Sequence, residues 1–131
     1  MKERILNIYN LKERFINKKC CNNIGYTPNG ISIYLDESEF CLSEMLARYV
    51  VYYTYINGKF YVGCTNCLTR RINEHFSRQD SNLYQYVENL KAIYIKPLGV
   101  YNTSEESRKI EKSYINAFKL MIPRKELINK I

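Results

Sequence analysis

The sequence predicts a mixed α/β (α+β) domain, with a small, three-stranded, mainly antiparallel sheet flanked by helices and an N-terminal helical extension. Two aromatic and β-branched runs flank Asn57-Gly58, the strongest short signal for a hairpin, because both turn residues must tolerate positive φ. Apolar residues at helical spacing follow the hairpin. At 131 residues, the chain is long enough for one domain with an appendage.

Residues 1–47 are predicted to form the extension. Met1 to Lys18 has the pattern of a basic amphipathic helix, and the polar stretch 19–30 contains turn residues. Residues 31–34 alternate like a short strand, and 38–48 fit a further helix. The basic helix is a candidate arm for gripping a phosphate backbone, and equally a solvated helix docked on the core.

Residues 48–122 are predicted to form the main domain, and 123–131 a C-terminal tail. Either Thr65 or Asn66 suits the N-cap of the helix that follows the hairpin and runs to about Phe76.

The second half of the domain completes the order ββααβα. A short helix is predicted from Asn82 to Leu90, and a third strand at 92–95 that Pro97 ends. Thr103 with Glu106 three residues later forms a capping box, which starts a helix that continues to about residue 121.

The hairpin register decides which tyrosines share a side of the sheet. With a two-residue loop, Tyr52 and Tyr61 lie on one side, diagonal to each other. A one-residue bulge would instead place Val51 or Tyr53 beside Tyr61. The sequence favours the two-residue loop.

Helical geometry separates the two adjacent arginines. Arg71 and His75, four residues apart, border the apolar stripe of their helix, whereas Arg70 faces solvent. On the last helix, Glu111 lies at the edge of the apolar stripe. A carboxylate there requires a compensating cation, which Arg71 or a bound Mg²⁺ could supply.

Composition limits the partners and the compartment. A net charge of +7 and a pI near 9.1 favour a polyanionic partner. Five cysteines, no signal peptide and no run of 18 apolar residues predict an intracellular, soluble protein, cytoplasmic or nuclear, with no membrane partner. The Cys64-Thr65-Asn66-Cys67 motif leaves a redox or zinc protein as a rival interpretation.

Residues 48–120 resemble the GIY-YIG nuclease family. Val50-Val51-Tyr52 is similar to the first triplet of the family, although it lacks glycine, and Tyr61-Val62-Gly63 matches the second. Eight residues separate the two triplets, fewer than is usual in the family. Arg71, His75 and Glu111 match the helical arginine, the histidine four residues later and the metal-binding glutamate. The asparagine that often follows the distal helix has no clear counterpart, with Asn116 and Asn129 as candidates.

The resemblance implies a metal-dependent endonuclease that acts on DNA with one Mg²⁺ or Mn²⁺ ion. We expect distant parts of the chain to converge on a single side of the sheet. The implied catalytic residues are Tyr52, Tyr61, Arg71, His75 and Glu111, with Glu111 also the metal ligand, and the implied substrate-binding residues are Gly63, Arg70 and Lys59.

In this scheme Tyr52 positions or deprotonates the attacking water, Tyr61 assists, and His75 tunes the proton path. Taken singly, each residue also has an ordinary structural explanation, as a packed aromatic, a surface ion pair or a core imidazole. A catalytically inactive nucleic-acid-binding module of the same fold is the alternative function. Cutting both DNA strands with one site per chain requires either a homo-oligomer or two successive nicks.

Overall fold

The structure, a computed structural model, describes residues 21–56, 58–78, 83–86 and 90–129. The predicted N-terminal helix, with its basic arm, lies outside these residues. None of the helices in the described part of the chain is long and apolar enough to span a membrane. The elements are β1 (Cys21–Tyr26), β2 (Ser32–Asp36), α1 (Leu42–Met45), β3 (Tyr49–Ile56), β4 (Lys59–Thr65), α2 (Leu68–Ser77), a 3₁₀ turn (Tyr84–Tyr86), β5 (Ala92–Tyr101), α3 (Ser104–Met121) and a second 3₁₀ turn (Arg124–Glu126).

The described strands form one five-stranded sheet in the order β1-β2-β5-β3-β4. All neighbours are antiparallel except β2 and β5. The α/β class is confirmed, but the predicted number of three strands is wrong, because β1 and β2 join the same sheet. β1 escapes prediction because it is an outer strand with a polar sequence and a register shift between Asn23 and Gly25.

The prediction that Pro97 ends the third strand is also wrong, since β5 continues to Tyr101. β2 pairs with β5 only as far as Ile95, so the strand needs no N–H group at position 97 on that side. On the other side, Pro97 lies opposite Tyr52, beside a register shift in the pairing with β3. Proline is tolerated at such an irregularity because it costs no ladder hydrogen bond.

The hairpin of β3 and β4 has the predicted two-residue register, with Thr54 opposite Tyr61 and Ile56 opposite Lys59. Gly58 has a φ of +80°, in the left-handed region that favours glycine. Asn57, the other predicted turn residue, lies outside the described residues.

The two long helices were predicted correctly apart from one cap. Helix α2 begins at Leu68 with Cys67 at the N-cap, so the predicted cap at Thr65 or Asn66 is wrong. The Thr65 hydroxyl instead accepts a hydrogen bond from the Cys67 N–H group, at 3.0 Å. At the start of α3, the Thr103 side chain accepts from the N–H group of Glu106, as the capping box predicts.

Two shorter predicted helices are reduced in the structure. The helix predicted for residues 38–48 is the single turn α1. Of the one predicted for residues 82–90, only the 3₁₀ turn at 84–86 is seen, and residues 82 and 87–89 are not described.

Separate apolar layers cover the two faces of the sheet. Helix α2 packs on the face that holds Tyr52, with Ile72 and Phe76 in the same buried cluster. Helix α3 packs on the opposite face, where Phe118 lies with Tyr53. The sheet therefore separates α2 from α3, and side chains from both helices can meet only around its edge.

Strand β4 forms that edge, and its two halves differ. The Ile128 N–H group donates to the Phe60 carbonyl at 2.8 Å, and Leu127 forms a parallel bridge with Phe60. The buried side chain of Asn129 accepts from the Val62 N–H group and donates to its carbonyl, both at 2.8 Å. The segment 127–129 thus pairs with β4 as far as Val62, and the following residues, 63–65, lie beyond that pairing. We call residues 63–65 the open half of β4.

Candidate functional site

The candidate residues meet around the open half of β4. Tyr52 and Tyr61 lie on the α2 side of the sheet, as the register predicts, whereas Glu111 comes from α3 on the other side. Electrostatic interactions connect Glu111 with Tyr52, Tyr61 and Arg71 around the edge. The expectation that the residues converge on a single side is therefore wrong, because the two helices cover opposite faces.

Tyr52 and His75 form a buried pair, which we call the inner pair. The Tyr52 hydroxyl lies 3.3 Å from Nε2 of His75. The tyrosine has no exposed surface, and the histidine is 4% exposed. The strand and the helix place them together because the inward side chains of β3 and the buried stripe of α2 face each other.

Gly63 makes room for the inner pair. A Cβ atom at this position would lie 2.7 Å from the Tyr52 hydroxyl oxygen and 3.2 Å from a ring carbon of Tyr61. The Tyr52 ring therefore lies across β4 at the one position where no side chain blocks it, and its hydroxyl reaches the edge strand. Any larger residue at position 63 would displace one of the two tyrosines.

Tyr61 and Arg71 form a second pair, partly exposed, which we call the outer pair. The Arg71 guanidinium interacts with the Tyr61 hydroxyl and lowers its pKa through its charge and through hydrogen bonding. The Arg71 side chain is 44% exposed, with Glu74 as a distant ion-pair partner at 4.0 Å. The ring of Tyr61 packs edge-on against His75, with 5.2 Å between the centroids, so the two pairs touch.

Glu111 reaches the site beside Cys64. Its carboxylate interacts with the backbone N–H group and the thiol of Cys64. Ser107 and Arg108, one turn earlier on α3, also interact with the sulfur. Burial raises the pKa of Glu111, while the contacts with Cys64, Arg108 and Arg71 favour its charged form.

Two cavities open at this point and share Cys64 and Arg108. A cavity of about 320 Å³ is lined by Cys64, Arg108, Glu111, Lys112, Ile115 and Asn116. A cavity of about 330 Å³ is lined by Tyr49, Cys64, Thr65, Asn66, Ser104, Ser107 and Arg108. Glu111 is thus half-buried but reachable from solvent.

Burial keeps the inner pair neutral. It lowers the pKa of His75 to about 4, with a further contribution from the positive charge of Arg71. Burial also raises the pKa of Tyr52 well above its usual value, and the nearby Tyr61 adds to the effect. The pKa of Tyr61 is raised by burial as well, but Arg71 opposes that increase through both its charge and its hydrogen bond.

The donor set suits one hard divalent cation. Mg²⁺ typically binds proteins through one or two carboxylates and takes its other ligands from water and substrate phosphates. Glu111 is a single, reachable carboxylate of this kind. Within the described residues there is no group of three or more acidic, histidine or cysteine side chains placed to hold a metal. Glu111 alone would therefore hold the ion.

Two predicted substrate-binding residues lie apart from the others. Arg70 is 65% exposed and pairs with Glu74 and Asn66 on the solvent side of α2. Lys59 lies at the hairpin end of β4, about 13 Å along the strand from Gly63. Its ammonium group donates to the Lys125 carbonyl at 2.8 Å.

Sequence reasoning missed Ser107 and Arg108 and did not find the surroundings of Cys64 and Asn129. Ser107 and Arg108 precede Glu111 by about one turn on the same helix, so they could have been predicted to lie beside it. Cys64 was considered only as part of its CxxC motif, and its position next to Glu111 depends on the packing of α3 against β4. Asn129 was one of two candidates for the asparagine after the distal helix. The structure places it against Val62, while Asn116 is exposed at the Glu111 cavity.

Comparison with known proteins gives one match. The family profile described as the GIY-YIG catalytic domain matches residues 48–125. No curated protein and no solved structure gives a significant match. The matched region contains both tyrosine pairs and Glu111.

Proposed function

The chain belongs to the GIY-YIG nuclease family, and from this membership we propose that it is a divalent-metal-dependent endonuclease that hydrolyses phosphodiester bonds in DNA. One observation carries the proposal: a guanidinium, a phenol and a carboxylate from three separate elements interact around the open half of β4. These groups can hold a phosphate, accept a proton and bind a cation. The net charge of +7 suits a polyanionic substrate.

We assign phosphate binding to Arg71. Its guanidinium is partly exposed, and its donors match the spacing of phosphate oxygens. Negative charge develops on these oxygens as water attacks the phosphorus, so a fixed donor stabilises the transition state more than the ground state.

We assign proton acceptance from the attacking water to Tyr61. The family resemblance implied this role for Tyr52, but solvent does not reach the Tyr52 hydroxyl, since that residue has no exposed surface. Tyr61 is partly exposed, and its hydrogen bond from Arg71 favours the phenolate. Tyr52 and His75 are then positioning residues, which hold the Tyr61 ring through the contact with the imidazole.

Glu111 would hold Mg²⁺ or Mn²⁺ beside this group. A bound divalent cation supplies Lewis-acid stabilisation of the charged phosphate oxygens. The interactions with Cys64 favour the charged form of this carboxylate, and Gly63 leaves β4 without a side chain at position 63, where the Tyr52 hydroxyl approaches. Cleavage of both DNA strands would need a homo-oligomer or two successive nicks.

The alternative function is a nucleic-acid-binding module that has lost catalysis. It is favoured by the complete burial of Tyr52, the tyrosine of the first triplet, and by the lone carboxylate of the metal site. The two functions differ in one measurable property, turnover in the presence of a divalent cation.

A plasmid-nicking assay with Mg²⁺ or Mn²⁺ tests the proposal. We expect the wild-type chain to nick DNA, and Glu111→Gln and Arg71→Ala each to lose on the order of a hundredfold or more in rate. Glu105→Gln and Arg78→Ala are controls, since Glu105 is exposed in the first turn of α3 and Arg78 is exposed at the C-cap of α2. In gel shifts, Glu111→Gln should keep the DNA affinity of the wild type.

Each negative result has a defined meaning. Cleavage that persists in both Glu111→Gln and Arg71→Ala would remove these residues from the mechanism. A wild-type chain that binds DNA but fails to cut it with either metal, across single- and double-stranded substrates, would establish the binding module instead. DNA affinity that falls in parallel with cleavage in Glu111→Gln would contradict a purely catalytic role for the carboxylate.

A further inference from the structure

The cavity of about 330 Å³ lies between the end of β4 and the first two turns of α3, and none of its lining residues is acidic. We call it the polar cavity, because all but one of its lining side chains carry a hydroxyl, amide or guanidinium group. The exposed acids in the first turn of α3, Glu105 and Glu106, are not among them. The lining residues are Tyr49, Cys64, Thr65, Asn66, Ser104, Ser107 and Arg108.

Four of these side chains have hydrogen-bond donors available for a ligand. Within the described residues, the hydroxyl groups of Tyr49 and Ser104 form no hydrogen bond. Asn66 accepts a hydrogen bond at Oδ1 from Arg70, at 3.1 Å, which leaves its NH₂ group as a donor. Arg108 is exposed and forms no ion pair with a carboxylate in that part of the chain. The available groups are therefore all donors, and one of them is positively charged.

Hydrogen bonds hold the walls of the polar cavity in place. The Thr65 hydroxyl accepts from the Cys67 N–H group at 3.0 Å, which fixes the turn from β4 into α2. Ser107 is 1% exposed, and its hydroxyl donates to the Ser104 carbonyl at 2.8 Å. A ligand thus meets donors on a wall that is already ordered, which lowers the cost of binding.

We propose that the polar cavity binds a second, non-scissile phosphate of the DNA strand that is cut. The inference rests on the proposed function and extends it. Arginine, serine, asparagine and tyrosine side chains are among the usual donors to DNA phosphates, and such contacts fix the position of the strand without selecting its sequence. With Arg71 and Glu111 on opposite sides of the sheet, a strand that contacts both crosses the open half of β4, and Cys64 borders the polar cavity there.

The two cavities at this edge differ in the charge that they suit. The cavity of about 320 Å³ contains Glu111, the residue assigned to the cation. The polar cavity contains no carboxylate, so it suits an anion. Arg108 lines both cavities and lies between the two assigned sites. A phosphate held in the polar cavity would therefore fix the strand relative to the reacting group at Glu111.

The salt dependence of DNA affinity tests the polar cavity without reference to cleavage. We would measure fluorescence anisotropy of a labelled duplex, without divalent metal, at several salt concentrations. Arg108→Ala should reduce the slope of log affinity against log salt by about 0.9, the value for one lost phosphate contact, and weaken binding on the order of tenfold. Lys109→Ala removes the same charge from the next, exposed position outside the cavity lining, and should leave the slope unchanged.

A second pair of variants separates a lost contact from a damaged fold. Ser104→Asp puts a carboxylate into the polar cavity at the first position of α3, where an acidic side chain favours the helix. It should keep the thermal stability of the wild type and weaken DNA binding on the order of tenfold or more, because like charges repel. Thr103→Asp is the matched control, since it keeps a capping side chain outside the cavity lining. Its affinity should change by less than about threefold, because solvent screens an exposed charge.

The outcomes distinguish this site from the nuclease itself. Equal salt slopes in Arg108→Ala and Lys109→Ala would overturn the inference, as would wild-type affinity in Ser104→Asp or a wild-type chain without measurable affinity for DNA. If the variants differ as expected in a chain that never nicks DNA, the nuclease is refuted and the second phosphate site stands. If the chain nicks DNA and the variants do not differ, only the second phosphate site is refuted.

Discussion

The inner pair and the outer pair touch each other, yet they lie in opposite environments. Tyr52 and His75 are almost wholly removed from solvent and bond to each other, whereas Tyr61 and Arg71 are both partly exposed. The two tyrosines occupy the same side of the same hairpin and are separated by one diagonal step. Similar residues in similar positions therefore differ in access to solvent and in hydrogen-bond partner.

This difference suggests a division of labour. At Tyr52, burial and the nearby Tyr61 raise the pKa more than the positive charge of Arg71 lowers it, so the phenol stays neutral beside a neutral imidazole. At Tyr61, Arg71 lowers the pKa both through its charge and through a hydrogen bond. The inner pair is suited to position the Tyr61 ring, and the outer pair is suited to accept a proton and to contact phosphate.

Removing the hydroxyl group of Tyr61 and of Tyr52 in separate variants should give the largest difference between the two pairs. We predict that Tyr61→Phe lowers the nicking rate on the order of a hundredfold or more, because it removes the accessible proton acceptor. Tyr52→Phe is the matched change on the inner pair, and we predict a loss of about tenfold or less. The measurement is the single-turnover cleavage rate at saturating metal, with circular dichroism to verify the fold.

The reverse order would refute the assignment. A large loss in Tyr52→Phe with near-normal rates in Tyr61→Phe would require the Tyr52 hydroxyl to become accessible in the complex with DNA. Equal losses in both variants would mean that the tyrosines act as one unit.

The pH dependence of cleavage sharpens the same comparison. The pKa of Tyr61 is raised by burial, so at neutral pH most of the phenol is protonated, and the rate should increase with pH from about 6 to 9. The pKa of His75 is about 4, so its titration should leave no feature in that range. Tyr61→Phe should flatten the increase, and a decrease with pH in the wild type would contradict the assigned base.

The hairpin shows what local sequence can predict. Asn57-Gly58 fixes the loop length, loop length fixes the register, and the register puts Tyr52 and Tyr61 on one side, as observed. Helical spacing similarly predicted that Arg70 faces solvent and that His75 and Arg71 border the apolar stripe, where His75 is buried and Arg71 is 44% exposed. These are short-range relations along a strand or a helix, which the periodicity of side chains determines.

Relations between distant segments were not predictable in the same way. Nothing local indicates that β1 and β2 extend the sheet, or that residues 127–129 pair with one half of β4. The side from which Glu111 approaches depends on which face α3 covers, and an apolar stripe fits either face. The resemblance implied the leading role for Tyr52 with Tyr61 assisting, because the spacing of the triplets does not show which tyrosine is buried.

The pH dependence of stability tests the inner pair itself. The pKa of His75 is about 4 in the folded chain against an ordinary value of 6.5, so the unfolded chain binds the proton more tightly. Stability from this residue is complete above pH 6.5 and is lost as pH falls towards 4, by about 3 kcal/mol. Chemical denaturation at pH 7.5 and pH 4 should show this loss in the wild type.

The matched variant is His75→Gln, which retains a polar group near Nε2 but cannot titrate in this range. Its stability should fall by about 3 kcal/mol less than that of the wild type between the two pH values. Parallel losses in both proteins would mean that His75 takes up its proton as readily when folded as when unfolded, and that the inner pair is not shielded from water.

The smallest expected effect concerns the part of β4 that pairs with residues 127–129 and ends at Val62, next to Gly63. Asn129→Ala should lower the free energy of unfolding by about 2 kcal/mol, because it leaves the N–H group and the carbonyl of Val62 without their side-chain partner in a buried position. Asn116→Ala, at an exposed position on α3, should change stability by less than about 0.5 kcal/mol.

Since Tyr61 and Gly63 flank Val62, Asn129→Ala should also slow cleavage if the register of β4 fixes the two tyrosine rings. Normal cleavage by a folded but destabilised Asn129→Ala chain would show that Tyr61 keeps its position without the hydrogen bonds between Asn129 and Val62. The packing of Tyr61 against His75 would then be sufficient to hold its ring.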